Sequence, residues 1–302
     1  MAQITAALVK SLRDKTGAGM MDAKKALVES DGDTEAAIEW LRAKGLSKAA
    51  KKSGRTAADG LVAVSLSDDG ATGAVVELNA ETDFVARNEG FQKAVAQIAS
   101  TALSTAGDID SLKAAPAPEG DGNVEDMVKR MVATIGENMT LRRSAKLSVS
   151  EGAIATYVHN AEAPGMGKVG VLVALEGAGD DLAAAGKQIA MHIAATSPAA
   201  LTVDDLDPAL VEKEKNFLTE QARESGKPEN IIENMIKGRI KKFYKEVVLL
   251  EQPFVMNPDQ TVGEFVASTG ATMTGFELFK LGDGIEVEET DFAAEVAAAT
   301  KG

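Results

Sequence analysis

Residues 59–84 read DGLVAVSLSDDGATGAVVELNAETDF, and their pattern sets the architecture of the chain. Two short apolar runs flank Asp68-Asp69-Gly70, a combination typical of a tight turn between antiparallel strands. A helical pattern follows from about Asn88 to Leu103. We therefore predict a strand–turn–strand–helix unit over this part of the chain.

A second unit with the same plan lies at residues 151–182, EGAIATYVHNAEAPGMGKVGVLVALEGAGDDL. GAVVEL (73–78) in the first unit corresponds to VGVLVAL (169–175) in the second, and each unit leads into a helix. Repetition of one supersecondary unit indicates an internal duplication. The sequence thus predicts the α+β class, with two related core subdomains that carry small antiparallel sheets.

The chain before the first unit is predicted to be helical. Residues 1–45 have apolar residues at helical spacing with breaks at Gly17 and Gly32, which predicts a three-helix module that ends at Gly45. Residues 46–58 are expected to form a basic linker or a frayed helix. Residues 107–123, rich in Pro, Gly and Asp, are expected to link the two units.

Residues 208–248 predict a helical hairpin, with a stop at Gly226 and a restart at Pro228. Two helices cannot bury both apolar stripes alone, so the hairpin is either its own domain or a surface for a partner or a second copy. FAAEVAAAT (292–300) predicts a last helix. The predicted domains are a helical module (1–55), core subdomain N (56–145), core subdomain C (146–206 and 249–285), the hairpin (207–248) and a C-terminal module (286–302).

Composition limits the possible functions. The 302 residues carry a net charge of −14, so we expect no direct binding of nucleic acid, which needs clustered Lys and Arg. Residues 1–60 are the exception, with 11 Lys and Arg against 8 Asp and Glu, which favours an electrostatic match to a protein partner. No signal peptide and no apolar run of about 20 residues is recognisable, so we expect a cytoplasmic protein without membrane contact.

The sequence offers no constellation for chemistry. There is no cysteine, and the histidines are His159 and His192, so we expect neither a metal nor another cofactor. The segment APGMGKVG (163–170) lacks the pattern of a phosphate loop, because Glu162 and Val169 stand at two of its key positions. We predict a binding protein and not an enzyme. A scaffold and an enzyme for an unknown substrate remain the alternatives.

Two places combine large apolar residues with a setting that should be polar. Phe84 lies in NAETDFVARNEGF (79–91), which is expected to be a loop between a strand and a helix. Met20 and Met21 are adjacent on a short helix, so both cannot face inward, and we expect one to be exposed. An exposed methionine is an adaptable apolar contact.

Five segments together resemble bacterial translation elongation factor Ts: TGAGMMDAKKAL (16–27), NAETDFVARNEGF (79–91), IGENM (135–139), SGKPENII (225–232) and QPFVMNPDQTVGEF (252–265). The resemblance implies a guanine-nucleotide exchange factor that binds elongation factor Tu in its GDP and nucleotide-free forms and promotes GDP release. It further implies a ubiquitin-associated-like N-terminal module and a dimerisation hairpin, through which the chain forms a homodimer or a two-plus-two complex.

The resemblance also implies roles for individual residues. Thr82, Asp83, Phe84 and Val85 correspond to a segment that intrudes near the magnesium site of elongation factor Tu, with Phe84 as a wedge. Ile135 could instead serve core packing. The other residues implied to contact the partner are Arg13, Met20, Met21, Lys24, Lys51, Lys52, Ile135, Gly136, His159, Val255 and Met256.

Overall fold

The computed structural model describes residues 4–179, 181–224 and 228–286. Helices and antiparallel strands share these residues, which confirms the predicted α+β class. Residues 287–302, with the predicted last helix, lie outside the described residues. The strands are, in chain order, β1 (Asp59–Leu66), β2 (Thr72–Ala80), β3 (Met139–Ser148), β4 (Gly152–Ala163), β5 (Met166–Glu176), β6 (Pro253–Phe254), β7 (Asn257–Thr261) and β8 (Thr272–Lys280).

The described helices precede the first strand or lie between strands. In the described residues, none of them has the length and apolar character needed to cross a membrane. The helices are, in chain order, α1 (Ala6–Thr16), α2 (Met20–Glu29), α3 (Thr34–Lys52), α4 (Asp83–Ala86), α5 (Glu89–Ala102), α6 (Ile109–Ala114), α7 (Val124–Ile135), α8 (Leu182–Thr196), α9 (Pro208–Glu224), α10 (Glu229–Val247) and α11 (Val262–Ser268).

Six of the described strands form one sheet in the order β3-β2-β1-β5-β4, with β8 also paired to β5, and β6 pairs with β7 in a separate two-stranded sheet. Both predicted hairpins are present, since β1 pairs antiparallel with β2 and β4 with β5. The two units meet where Val62 and Ala63 of β1 pair with Gly167 and Met166 of β5. The sheet therefore consists of two three-stranded antiparallel halves, and a short ladder joins β1, at the edge of the first half, to the first residues of β5, the middle strand of the second.

Each half of the sheet is covered by the helix that follows its hairpin. Helix α5 packs on β1 and β2 and buries Phe91 and Ile98 completely. Helix α8 packs on β4 and β5 and buries Ile189 and Ile193 in the same way. Each unit thus has its own apolar core, as a duplication predicts.

The N-terminal module contains the three predicted helices, but the third is longer than predicted. Helix α3 continues past the predicted stop at Gly45 to Lys52, so residues 46–52, for which a linker or a frayed helix was expected, are helical. Gly45 lies where α3 crosses α7, and a Cβ atom at Gly45 would be 3.2 Å from the Cβ atom of Ala133. The contact between the two helices outweighs the cost of a glycine inside a helix, which is about 1 kcal/mol.

The predicted linker at 107–123 was also wrong in part. Asp108 accepts a hydrogen bond from Ser111 N and so caps α6, and Leu112 of this helix is fully buried. The burial of Leu112 holds this short helix against the first core. A segment rich in Pro and Gly gives no sign of that contact in its composition.

The predicted helical hairpin is formed by α9 and α10, which pack against each other through residues that include Leu218 and Ile232. Other apolar side chains of the hairpin point to solvent, among them Leu210, Phe217 and Ile231. The boundaries given above for this and the other domains stay a prediction.

A buried carboxylate joins the first half of the sheet to the end of β8. Glu77 on β2 is fully buried and accepts hydrogen bonds from Arg142 and Arg143. The two arginines are successive, yet both reach Glu77, because a bulge in β3 leaves Arg142 as an extra residue between the pairs Glu77–Arg143 and Leu78–Leu141. Arg142 also donates to the carbonyl group of Asp283, just beyond β8, and Arg143 donates to that of Lys280, the last residue of β8.

Replacing Glu77 with Gln is expected to lower the free energy of unfolding by about 3 kcal/mol, because it leaves two half-buried guanidinium groups without a carboxylate. Chemical denaturation followed by circular dichroism measures the change. Asp68→Asn, at the exposed tip of the β1–β2 hairpin, is the control and should change stability by no more than about 0.5 kcal/mol. Equal effects of the two substitutions would contradict the role of Glu77.

Candidate functional site

Phe84 lies on a single helical turn, α4, between β2 and α5. This segment, residues 82–86, is called the Phe84 turn below. Val85 and Ala86 are buried in the first core, whereas the side chain of Phe84 is 74% exposed. Within one helical turn, anchoring the last two residues inward leaves Phe84 facing outward. The turn therefore presents a large aromatic side chain to solvent on a fixed base.

The base of the Phe84 turn is held by residues 135–138, the last residue of α7 and the three that follow it, called the anchor loop below. Glu137 accepts hydrogen bonds from the backbone N–H of Thr82 at 3.0 Å and from its hydroxyl group at 2.8 Å. Glu81 in turn accepts a hydrogen bond from the backbone N–H of Asn138. The carboxylate of Glu137 thus binds the Phe84 turn, and the carboxylate of Glu81, just before that turn, binds the anchor loop.

The anchor loop contains two of the residues implied by the resemblance. Ile135 is half-buried and packs against the first core, so at least part of its role is structural. Gly136 is exposed and ends α7 in the left-handed conformation, with φ of 92°. That conformation strains any residue with a Cβ atom, which explains glycine at this position.

The end of α3 reaches the same loop. The ammonium group of Lys52 donates a hydrogen bond to the carbonyl group of Gly136. Lys51, next to it, is exposed. The longer α3 therefore brings the N-terminal module into direct contact with the segment that anchors the Phe84 turn.

The first two helices display their own set of exposed residues. Met20 is 47% exposed and Met21 is 75% exposed, so both methionines face solvent where the sequence led us to expect one. Arg13 and Lys24 are exposed as well. The surface combines polarizable apolar groups with positive charge, which suits a protein partner with apolar and acidic groups.

His159 is exposed on β4, at the edge of the sheet, and its Nδ1 atom lies 3.0 Å from the hydroxyl group of Tyr157. The same strand is connected to the Phe84 turn by Arg87. Its guanidinium group is 3.8 Å from Asp83 and 3.8 Å from Glu162, near the end of β4. Arg87 thus bridges the two predicted contact segments.

Val255 and Met256 form the two-residue tip of the short β6–β7 hairpin, and are 52% and 48% exposed. The backbone N–H of Val255 donates to the Nδ1 atom of His192 at 3.2 Å. His192 is fully buried, as its apolar helix suggested, but it is more than core packing, since both ring nitrogens have partners.

The environment of His192 favours the neutral imidazole. Burial lowers the pKa of His192 below its ordinary value, and the hydrogen bond to Gln252 offsets part of that effect. No group of three or more potential metal ligands from His, Cys, Asp and Glu occurs within residues 4–179, 181–224 and 228–286.

The structure therefore brings some predicted residues together and leaves others on separate elements. The Phe84 turn, Ile135, Gly136 and Lys52 form one contact network, whereas the methionines of α2 and the Val255–Met256 tip belong to other elements. Sequence reasoning missed Glu137, Arg87, Glu162 and Gln252. Glu137, Arg87 and Gln252 carried a signal, because they stand inside the quoted segments IGENM, NAETDFVARNEGF and QPFVMNPDQTVGEF. Glu162 carried none, because it acts through a contact with Arg87, far away in the chain.

The family model and the known proteins that match this chain carry the same name. A family model described as elongation factor TS matches residues 81–283. Elongation factor Ts of Hyphomonas neptunium is 69% identical over 302 residues, which is 100% of each chain. The proteins of the same name from Parvibaculum lavamentivorans and Caulobacter vibrioides are 60% identical over 100% of each chain and 57% identical over 99% of each chain.

Removing the carboxylate of Glu137 should loosen the Phe84 turn. We expect Glu137→Ala to lower the free energy of unfolding by about 1–3 kcal/mol, because two donors of Thr82 lose their acceptor. Amide hydrogen exchange at Thr82 should become faster. Glu125→Ala is the control, since this exposed carboxylate pairs with Lys129 on α7, the helix before the anchor loop, and should matter by about 0.5 kcal/mol. An unchanged rate at Thr82 would contradict the anchoring role.

His192 should make stability depend on pH. Because its pKa is lowered in the folded protein, the unfolded chain takes up the proton first as the pH falls below about 6.5, and the free energy of unfolding decreases. Between about pH 7 and pH 5 the wild type should lose more stability than His192→Asn, which has no such group. Urea denaturation at both pH values measures this, and equal losses would contradict it.

Proposed function

The chain belongs to the elongation factor Ts family, and we propose on this basis that it acts as the guanine-nucleotide exchange factor for elongation factor Tu. It binds the GDP form, promotes release of GDP and dissociates when GTP enters. The observation that carries the proposal is the Phe84 turn, which holds an aromatic ring that is 74% exposed on a base fixed by Glu137. Such a group is arranged before binding, and so costs little ordering when it enters a partner.

The proposed action of Phe84 is that of a wedge. A GTPase holds GDP through backbone amides of its phosphate loop and through Mg²⁺, whose ligands lie on neighbouring segments. Insertion of Phe84 between helices near that site displaces those segments and weakens both interactions. Thr82 and Val85 hold the base of the turn, and Asp83 accompanies the ring at the surface, where Arg87 lies 3.8 Å from its carboxylate.

The free energy needed for exchange requires further contacts with the partner besides Phe84. An acceleration of 10⁴-fold needs a barrier lower by about 5.5 kcal/mol, whereas burial of one phenylalanine contributes roughly 1.5–3 kcal/mol. The factor must also favour the nucleotide-free form over the GDP form, since equal binding to both shifts nothing. We propose that the remaining difference comes from the other residues that the resemblance implies: Arg13, Met20, Met21, Lys24, Lys51, Lys52, Ile135, Gly136, His159, Val255 and Met256.

The connections among these groups support concerted action. Lys52 binds the anchor loop, and the anchor loop binds the Phe84 turn. Docking of the N-terminal module on the partner is therefore transmitted to the wedge through direct contacts. By linkage, nucleotide binding must weaken the affinity of the partner for this chain by the same factor.

We also propose that the chain has the domains given above and self-associates through the α9–α10 hairpin. The exposed side chains of Leu210, Phe217 and Ile231 support an apolar contact there, because apolar groups at a surface are stabilised by removal from water.

Stopped-flow release of fluorescent GDP from elongation factor Tu tests the proposed exchange. We expect the wild-type chain to accelerate release and Phe84→Ala to slow it by about 10- to 100-fold, because the truncation removes roughly 1.5–3 kcal/mol of burial. Complex formation by the variant should persist through the other contacts. Leu66→Ala is the control, because this leucine is also exposed but lies at the opposite end of the β1–β2 hairpin.

The outcomes separate exchange from scaffolding. If the wild-type chain binds elongation factor Tu without accelerating GDP release, the exchange proposal is wrong and a scaffold remains. If the wild type accelerates release and Phe84→Ala does so equally well, exchange stands and the wedge role is wrong.

A further inference from the structure

We propose that His192 is a positioning residue for nucleotide exchange, which acts by holding the backbone of the Val255–Met256 tip in its docking position. The inference rests on the proposed function, because the tip matters only if it meets the partner. His192 lies in the interior, so it acts through the tip and not through contact with the partner.

The hydrogen bonds of His192 determine its tautomer. The backbone N–H of Val255 can only donate, so Nδ1, at 3.2 Å, must carry the lone pair. The proton then lies on Nε2, which donates to the Oε1 atom of Gln252 at 2.7 Å. Gln252 is itself oriented, because its Nε2 atom donates to the carbonyl group of Glu246 at 2.7 Å. A chain of hydrogen bonds thus runs from the end of α10 to the tip.

The tip has little other support from its own strands. Strand β6 contains two residues, and its ladder with β7 consists of the pairs Pro253–Thr261 and Phe254–Asn257. Phe254 is buried and stacks on Phe265 with ring centroids 4.4 Å apart, which fixes the residue before the tip. The bond from Val255 to His192 fixes the next residue. Together these two contacts keep the side chains of Val255 and Met256 exposed, although each apolar side chain would be more stable when buried.

The chemistry of the site explains the presence of a histidine. Packing alone would be served by an apolar residue, and burying an imidazole is unfavourable unless both nitrogens are paired. An asparagine at position 192 can place an acceptor oxygen near the position of Nδ1. A glutamine can reach toward Gln252, as Nε2 does, but leaves the N–H of Val255 without an acceptor. The two variants therefore separate the bond to the tip from the bond to Gln252.

The experiment compares the wild type, His192→Asn and His192→Gln in two measurements. The first is amide hydrogen exchange of Val255 in the free protein, followed by NMR. The second is GDP release from elongation factor Tu at increasing concentrations of the chain, which separates the half-saturating concentration from the maximal rate. Thermal unfolding of each variant is recorded so that a general loss of stability is recognised.

For His192→Gln we expect exchange of the Val255 amide to rise about tenfold, and the half-saturating concentration to rise about three- to tenfold with little change in the maximal rate. His192→Asn should stay within about twofold of the wild type in both measurements. In the background of the double substitution Val255→Ala and Met256→Ala, His192→Gln should add little, because the group through which it acts is gone.

Three results would overturn the inference. The first is that the two His192 variants give equal values in both measurements. The second is an unchanged hydrogen-exchange rate of the Val255 amide in His192→Gln. The third is full additivity with the double substitution at the tip. If the wild type accelerates GDP release and any of these results is found, only the role of His192 fails. If the wild type does not accelerate release at all, the proposed exchange function fails together with it.

Discussion

The carboxylate of Glu77 imposes the constraint on which the rest of the structure depends. A fully buried charge must be paired, and Glu77 is paired with two successive arginines, which a regular strand would direct to opposite faces. The bulge at Arg142 resolves this conflict. It determines how β3 aligns with β2, and the same two arginines bind carbonyl groups at the end of β8 and just beyond it. One buried charge therefore connects the two halves of the sheet beside the short β1–β5 ladder, since Glu77 pairs with Val62 and Val62 pairs with Gly167.

The candidate site follows from that alignment. With the bulge in place, β2 ends at Ala80 opposite Met139, the first residue of β3. The Phe84 turn, which continues from β2, is thereby brought beside the anchor loop, which leads into β3. The bonds from Glu137 to Thr82 and from Asn138 to Glu81 are consequences of this register. A wedge on such a base has lost most of its conformational freedom before it meets a partner.

The exposed apolar groups share one structural principle. Phe84 and the Val255–Met256 tip are each the outward part of a tight turn whose adjacent residue is buried: Val85 in one case and Phe254 in the other. In both places a buried or half-buried polar side chain, Glu137 or His192, binds the backbone of the turn. The apolar side chains stay at the surface because these polar side chains bind the backbone that carries them. Their exposure is therefore a result of how the backbone of each turn is held.

The sequence by itself determined the elements and the family of this protein. Alternating and helical periodicity revealed both hairpins, their helices and the duplication, since periodicity depends on neighbours a few residues apart. Quoted segments such as NAETDFVARNEGF revealed the resemblance and marked Phe84. Only the tertiary structure decided the end of α3, where contact with Ala133 overrides Gly45, and the burial of Leu112 in an expected linker. It alone joined Glu137 to Thr82, Arg87 to Glu162 and His192 to Val255, because these bonds connect residues 55 to 75 positions apart, whose proximity depends on strand register and helix packing that local patterns do not encode.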